Sequence, residues 1–178
     1  MSNIFKKAKD DIFVKHYLMM LPLALVLAVP LGCGKSKMPS EMPKLYQVAV
    51  TVTFDDGKPV DDAVVKFRLT DPVLPRIWLH AGTTDAEGKA KLITDGDFPG
   101  IPAGKYSVTI EKYETEAWNG EGVPPPGTVV PRYQLVEDVY LDHATTPLKD
   151  VEVKAGKNEI PLSAGKEQRI SKPLRTAR

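Results

Sequence analysis

Residue types able to do chemistry are scarce in this chain, and their spacing argues against most of what they could do. One cysteine, Cys33, and three histidines, His16, His80 and His143, are the whole thiol and imidazole supply. A zinc site takes three or four nitrogen, sulfur or oxygen ligands held close together, and neither His-x-x-x-His nor Cys-x-x-Cys occurs. Nucleophilic catalysis also lacks its usual marks, since no Gly-x-Ser-x-Gly turn is present. Carboxylates do cluster, with Asp55, Asp56, Asp61 and Asp62 around one turn. Calcium binds through such oxygens, but the spacing is not Asp-x-Asp-x-Asp-Gly, and turn formation accounts for these residues. No catalytic residue, metal or cofactor is therefore expected.

The position of Cys33 is more telling than its chemistry. It ends the long apolar run Tyr17 to Gly32, which Lys6, Lys7, Lys9 and Lys15 precede. A cationic segment, an apolar segment and a small residue are the three parts of a secretory signal peptide. The run is shorter than the ~20 residues a membrane-crossing helix needs, and Pro22 and Pro30 interrupt it. Leu31-Gly32-Cys33 resembles the bacterial lipobox, which implies cleavage after Gly32 and lipidation of Cys33. The family pattern prefers other residues where Pro30 and Leu31 stand. Residues 1–32 are thus expected to be a signal peptide of lipoprotein type, and residues 33–44, small and proline-punctuated, a flexible tether. With no second cysteine, no disulfide is expected.

The 178 residues carry a formal charge of +1, so no general attraction to nucleic acid follows. Basic residues do concentrate at the end, where Lys166, Arg169, Lys172, Arg175 and Arg178 face one Glu167. Composition predicts a disordered basic tail over 163–178.

Between tether and tail the side chains alternate with period two. Tyr46, Val48, Val50, Val52 and Phe54 form one side of a half-buried strand. Ala63, Val65, Phe67 and Leu69 form another, across the turn Asp55-Asp56-Gly57-Lys58-Pro59, as in a hairpin or a sheet-to-sheet corner. Ile77, Leu79 and Ala81 then alternate with Trp78 and His80, and His80 is expected on the solvent side or on a second sheet face. Ala90 and Leu92 continue after a polar turn, and Tyr106, Val108 and Ile110 mark a clear strand facing the core. Residues 113–132 break the rhythm, which is long for a connection inside a compact domain. Tyr113 and Trp118 in this insertion are the candidate binding loop, because aromatic residues on loops are favoured contact points. Tyr133 to Leu141 suits a short strand or an irregular segment crossing the sheet. Val151 and Val153, a turn, then Ile160 and Leu162 predict a final hairpin. Short strands with frequent turns and no helical repeat indicate an all-β sandwich.

Three stretches carry a resemblance: Val50 to Val65 with Asp56-Gly57-Lys58-Pro59, Thr83-Thr84-Asp85-Ala86-Glu87-Gly88-Lys89, and Pro102-Ala103-Gly104-Lys105-Tyr106 to Ile110. In this order they resemble the carboxypeptidase regulatory-like domain. The stretch Ala144 to Ile160 is similar to the end of small lipoproteins of the planctomycete type. The resemblance covers about residues 46–162 and implies a single seven-stranded Greek-key β-sandwich of the transthyretin (prealbumin-like) kind over 45–162. In that family the motif residues serve turns and packing and hold no zinc. A relative of the fold hydrolyses hydroxyisourate through a C-terminal Tyr-Arg-Gly-Ser, whereas this chain ends Leu-Arg-Thr-Ala-Arg.

The expected protein is a non-enzymatic module for binding, adhesion or envelope structure. It is anchored through its lipid on the extracytoplasmic side of a membrane, in the periplasm or at the outer surface. A protein or glycan is its expected partner. Two other functions fit less well: an accessory subunit of an exported hydrolase or transporter, and a small transthyretin-like hydrolase.

Overall fold

The computed structural model describes residues 37–70, 77–118, 120 and 122–175. The strands belong to a compact unit that begins at Met38. The expected signal peptide, Gly32 and Cys33 lie outside the described residues. No helix among the described residues is long and apolar enough to cross a membrane.

The body is almost wholly β. In chain order the strands are β1 (Leu45–Tyr46), β2 (Val48–Thr53), β3 (Val64–Leu69), β4 (His80–Thr83), β5 (Lys89–Lys91) and β6 (Ile93–Thr94). Next come β7 (Phe98–Pro99), β8 (Ile101–Pro102), β9 (Gly104–Glu111), β10 (Tyr113–Thr115), β11 (Val129–Val130) and β12 (Arg132–Gln134). The last are β13 (Val151–Val153), β14 (Asn158–Ser163), β15 (Ile170–Ser171) and β16 (Leu174–Arg175). Two sheets form the main layers, one of six strands in the order β13-β9-β3-β4-β6-β7 and one of three in the order β14-β2-β5. Many of these segments are only two or three residues long.

The alternation in β2 places Val48, Val50 and Val52 inward. They meet Val65 and Phe67 of β3, Tyr106, Val108 and Ile110 of β9, Val153 of β13 and Leu162 of β14 in one core. Both sheets thus bury one face against the other, a sandwich-like arrangement. The connection from β2 to β3 is a corner between sheets, pinned by Thr84. Its hydroxyl donates to the Val60 carbonyl (2.6 Å) and accepts from the Ala63 amide (2.8 Å). Gly88, at φ 73°, ends the facing turn, where a Cβ would collide with the Val52 carbonyl oxygen.

Registers give the sandwich two ends. Leu69 pairs with Tyr106, and Gly104 with Val153, at one end of the six-stranded sheet, while Val64 pairs with Glu111 at the other. The upstream chain joins the first end, the N-terminal pole, because Leu45 of β1 pairs with Pro102 of β8. The insertion begins at Tyr113, just past Glu111, and so emerges from the second end, the distal pole.

Several expectations need correction. His80 is buried at 2% exposure, whereas Ile77 and Leu79 are exposed. Period two alone cannot choose a face when both sides are apolar, and pairing of His80 with the inward Phe67 decides it. The final hairpin does not form either. β13 joins β9, while β14 lies parallel to β2 in the other sheet. Asn158 fixes that crossing, since its side chain accepts from the Lys154 amide and donates to the Lys154 carbonyl, both at 2.9 Å. Residues 163–175, expected to be a disordered tail, contain β15 and β16. Ile170 supplies an apolar strand position, and Glu114 and Glu116 offset the charge of Arg169. Part of the expected tether is also ordered, since Met42 is buried.

Candidate binding surface

The insertion and the tail build the distal pole together. β10 pairs with β12, setting Tyr113 opposite Gln134, Glu114 opposite Tyr133 and Thr115 opposite Arg132. β15 extends this sheet beyond β12, and β16 pairs with β11. The Lys172 amide also donates to the Arg132 carbonyl at 2.7 Å. The tail therefore holds the returning limb of the insertion, and the outgoing limb joins it through β12.

Alternation splits the charged and aromatic residues between two faces. On one, the Arg169 guanidinium lies 3.9 Å over the Tyr133 ring and reaches Glu116 at 3.3 Å and Glu114 at 3.6 Å. On the other, the Arg132 guanidinium lies 4.3 Å over the Tyr113 ring. Arg132 Nε is buried and makes no hydrogen bond among the described residues. Each stack is worth about 0.5–1 kcal/mol where water reaches it. Gln134, paired with Tyr113, is buried, and its Nε2 donates to the Val136 carbonyl (2.8 Å) and to Asp138 Oδ1 (2.7 Å). This ties the sheet to a short 3-10 turn at Asp138–Tyr140.

Of the two predicted binding residues, Tyr113 is thus a strand residue clamped under Arg132. Trp118 lies beyond the strand at 37% exposure. Its indole occupies the space above Gly120, where any Cβ would strike the ring. Val123 and Val129 are exposed on the same insertion. Sequence reasoning missed Arg132, Tyr133 and Arg169. The available signal was charge complementarity, with Glu114 and Glu116 in the insertion matching the basic tail.

The two described histidines are not brought together. His80 faces the core, where Nδ1 lies 3.0 Å from Thr94 Oγ1, which itself donates to the Gly100 carbonyl at 2.7 Å. Thr94 must therefore accept, so Nδ1 carries the proton. The His80 ring meets Tyr106 edge-on with centroids 5.8 Å apart, and the Tyr106 hydroxyl donates to the Pro102 carbonyl at 2.8 Å. Burial pulls the His80 pKa down to about 4, and Asp95 opposes this only partly.

His143 sits on the opposite face of the six-stranded sheet, with Nδ1 3.1 Å from Ser107 Oγ. Burial first, then the Arg68 charge, lowers its pKa. A hydroxyl beside an imidazole has the outline of a nucleophile and base. However, Ser107 is buried, and no carboxylate is hydrogen-bonded to the His143 ring among the described residues. The pair clips residues 141–146 to the sheet, as does Thr146, whose hydroxyl donates to the Val108 carbonyl at 2.7 Å.

The aspartates around the first turn have separate partners. Asp56 takes Lys58 at 2.9 Å, Asp55 accepts from Ser163 at 2.7 Å, and Asp61 takes Lys112 at 3.1 Å. Among the described residues no three His, Cys, Asp or Glu side chains are placed to share a metal ion. Elsewhere, the outward face of the three-stranded sheet forms a shallow cleft of about 620 Å³ over Ala49 and Thr51, walled by Lys89, Lys91 and Glu159. No aromatic side chain lines it. No family model matches this chain, and comparison with curated proteins finds no match.

Proposed function

We propose that this chain is an exported, non-enzymatic binding module of the cell envelope. In this proposal it is cleaved after Gly32, lipidated on Cys33 and folded as a seven-stranded Greek-key sandwich of the transthyretin type, a carboxypeptidase regulatory-like domain. A protein or glycan partner is met at the distal pole through Trp118 and the Tyr–Arg stacks.

One observation carries this proposal: the upstream chain joins one pole, through β1, while the insertion and tail form an aromatic and arginine-rich sheet at the other. A module tethered by its N-terminus would then hold that sheet away from the membrane. Aromatic and arginine side chains dominate the energetics of protein contacts, and a sheet holds them in place better than a free loop. Among the described residues Ser107 is covered, and His80 and His143 lie on opposite faces of the six-stranded sheet.

The test is the intact mass of protein extracted from membranes, beside a Cys33→Ala control. Cleavage at Gly32 with a diacylglyceryl adduct is expected, and Cys33→Ala should abolish both. Recovery of the unprocessed 19.6 kDa chain overturns the anchor. Retention on immobilised envelope glycan or envelope protein should fall with Trp118→Ala, and unchanged retention on both removes the insertion from the binding role.

A further inference from the structure

Ile77 and Leu79 are 85% and 59% exposed, while Trp78 between them is 5% exposed. Large aliphatic side chains scattered singly on a surface are ordinary, but these two flank a buried residue, and such alternation sets both on one side of the chain. Leu79 is also held in place, since its amide donates to Asp95 Oδ1 (3.0 Å) and its carbonyl accepts from the Asp95 amide (2.8 Å). Because His80 pairs with Phe67, the residues before it run past Phe67 toward the Leu69 end of the sheet, the N-terminal pole. There β1 receives the upstream chain, which carries the apolar run and Cys33.

We propose that Ile77 and Leu79 form a membrane seat, resting in the interfacial layer of the bilayer that holds Cys33. This rests on the anchor of the proposed function. A tether of about ten residues reaches at most about 35 Å, so the pole meets the surface at high effective concentration. A contact too weak to recruit a free protein can orient a tethered one. Exposed Lys44 and Lys105, near the pairing of Leu45 with Pro102, suit anionic headgroups. Seated in this way, the body would point its distal pole away from the lipid.

The chain contains two tryptophans, so Trp118→Phe leaves Trp78, between the two contacts, as the sole emitter. The full chain, purified from membranes, is placed in phosphatidylcholine and phosphatidylglycerol vesicles in which some acyl chains carry bromine. Quenching of Trp78 is expected, as is its loss when Ile77→Ser and Leu79→Ser are added. Both residues are exposed, so the melting temperature should hold and will show whether the fold persists. Protein that floats with the vesicles but is unquenched, or is quenched equally after the double substitution, overturns the seat and leaves the anchor standing. If it is unquenched and forms a detergent-stable dimer that the double substitution dissolves, the occupant is a second copy and the seat is again overturned. A chain that does not float and bears no acyl mass removes anchor and seat together.

Discussion

At the N-terminal pole, His80, Thr94 and Tyr106 satisfy their polar atoms inside the core. At the distal pole Gln134 is also buried and hydrogen-bonded, but Arg169, Glu114 and Glu116 pair at the surface. A buried network is strong when complete and costly when broken, whereas exposed ion pairs contribute little each and weaken with salt. The exposed ion pairs of the distal pole are therefore expected to be replaceable at less cost than the buried network. If the proposed tether and contact surface hold, the costly network lies near the tether and the replaceable pairs at the contact surface.

The contrast between the poles is most severely tested through Tyr106, which is fully buried against Phe67 and His80. Tyr106→Ala should cost about 3–5 kcal/mol and unfold both poles together, read as a large shift in denaturant midpoint. A loss below about 1 kcal/mol would mean the core is not shared.

Acid should act next, and on the N-terminal pole. The His80 pKa is held at about 4 in the folded chain and returns to near 6.5 on unfolding. Between those values the unfolded chain binds a proton that the folded one refuses, so stability is complete above about pH 6.5 and declines toward pH 4. The loss should be on the order of 2–3 kcal/mol, and His80→Gln should flatten the slope between pH 7 and pH 5. An unchanged slope would place the acid sensitivity elsewhere.

Ending the chain at Glu167 removes β15 and β16 and should loosen the distal pole alone. Amide exchange of Arg132–Gln134 should rise while Tyr106–Ile110 stays protected, with a global cost of about 1 kcal/mol. Smallest of all, Arg169→Ala should cost less than about 1 kcal/mol, and that cost should shrink in high salt. Together the two changes separate order in the tail from the strength of its charges.

Strands with one apolar and one polar side were legible in the sequence. β2 and β9 occupy the predicted positions, with Val48, Val50, Val52, Tyr106, Val108 and Ile110 inward. Which strand pairs with which was not legible, because alternation fixes a face without naming a sheet. The parallel pairing of β14 with β2 joins residues more than a hundred positions apart, and no local signal announces it. Ile77-Trp78-Leu79 defeated the pattern because all three are apolar, so cross-strand pairing of His80 set the phase. At the distal pole, composition gave the tail its charge but concealed its partners, since Arg169 gains order only where Tyr133, Glu114 and Glu116 converge. Trp118 was legible as an aromatic residue of a candidate binding loop, yet its seat over Gly120 depends on a missing side chain.

Central to this account is that the two poles face different surroundings. The direct measurement is amide hydrogen exchange of the full lipid-modified chain, on vesicles and in detergent. Vesicles should slow exchange at Ile77–Leu79 and leave Tyr113–Trp118 and Ile170–Arg175 unchanged. Protection at the distal pole instead, or equal protection at both, would contradict the account.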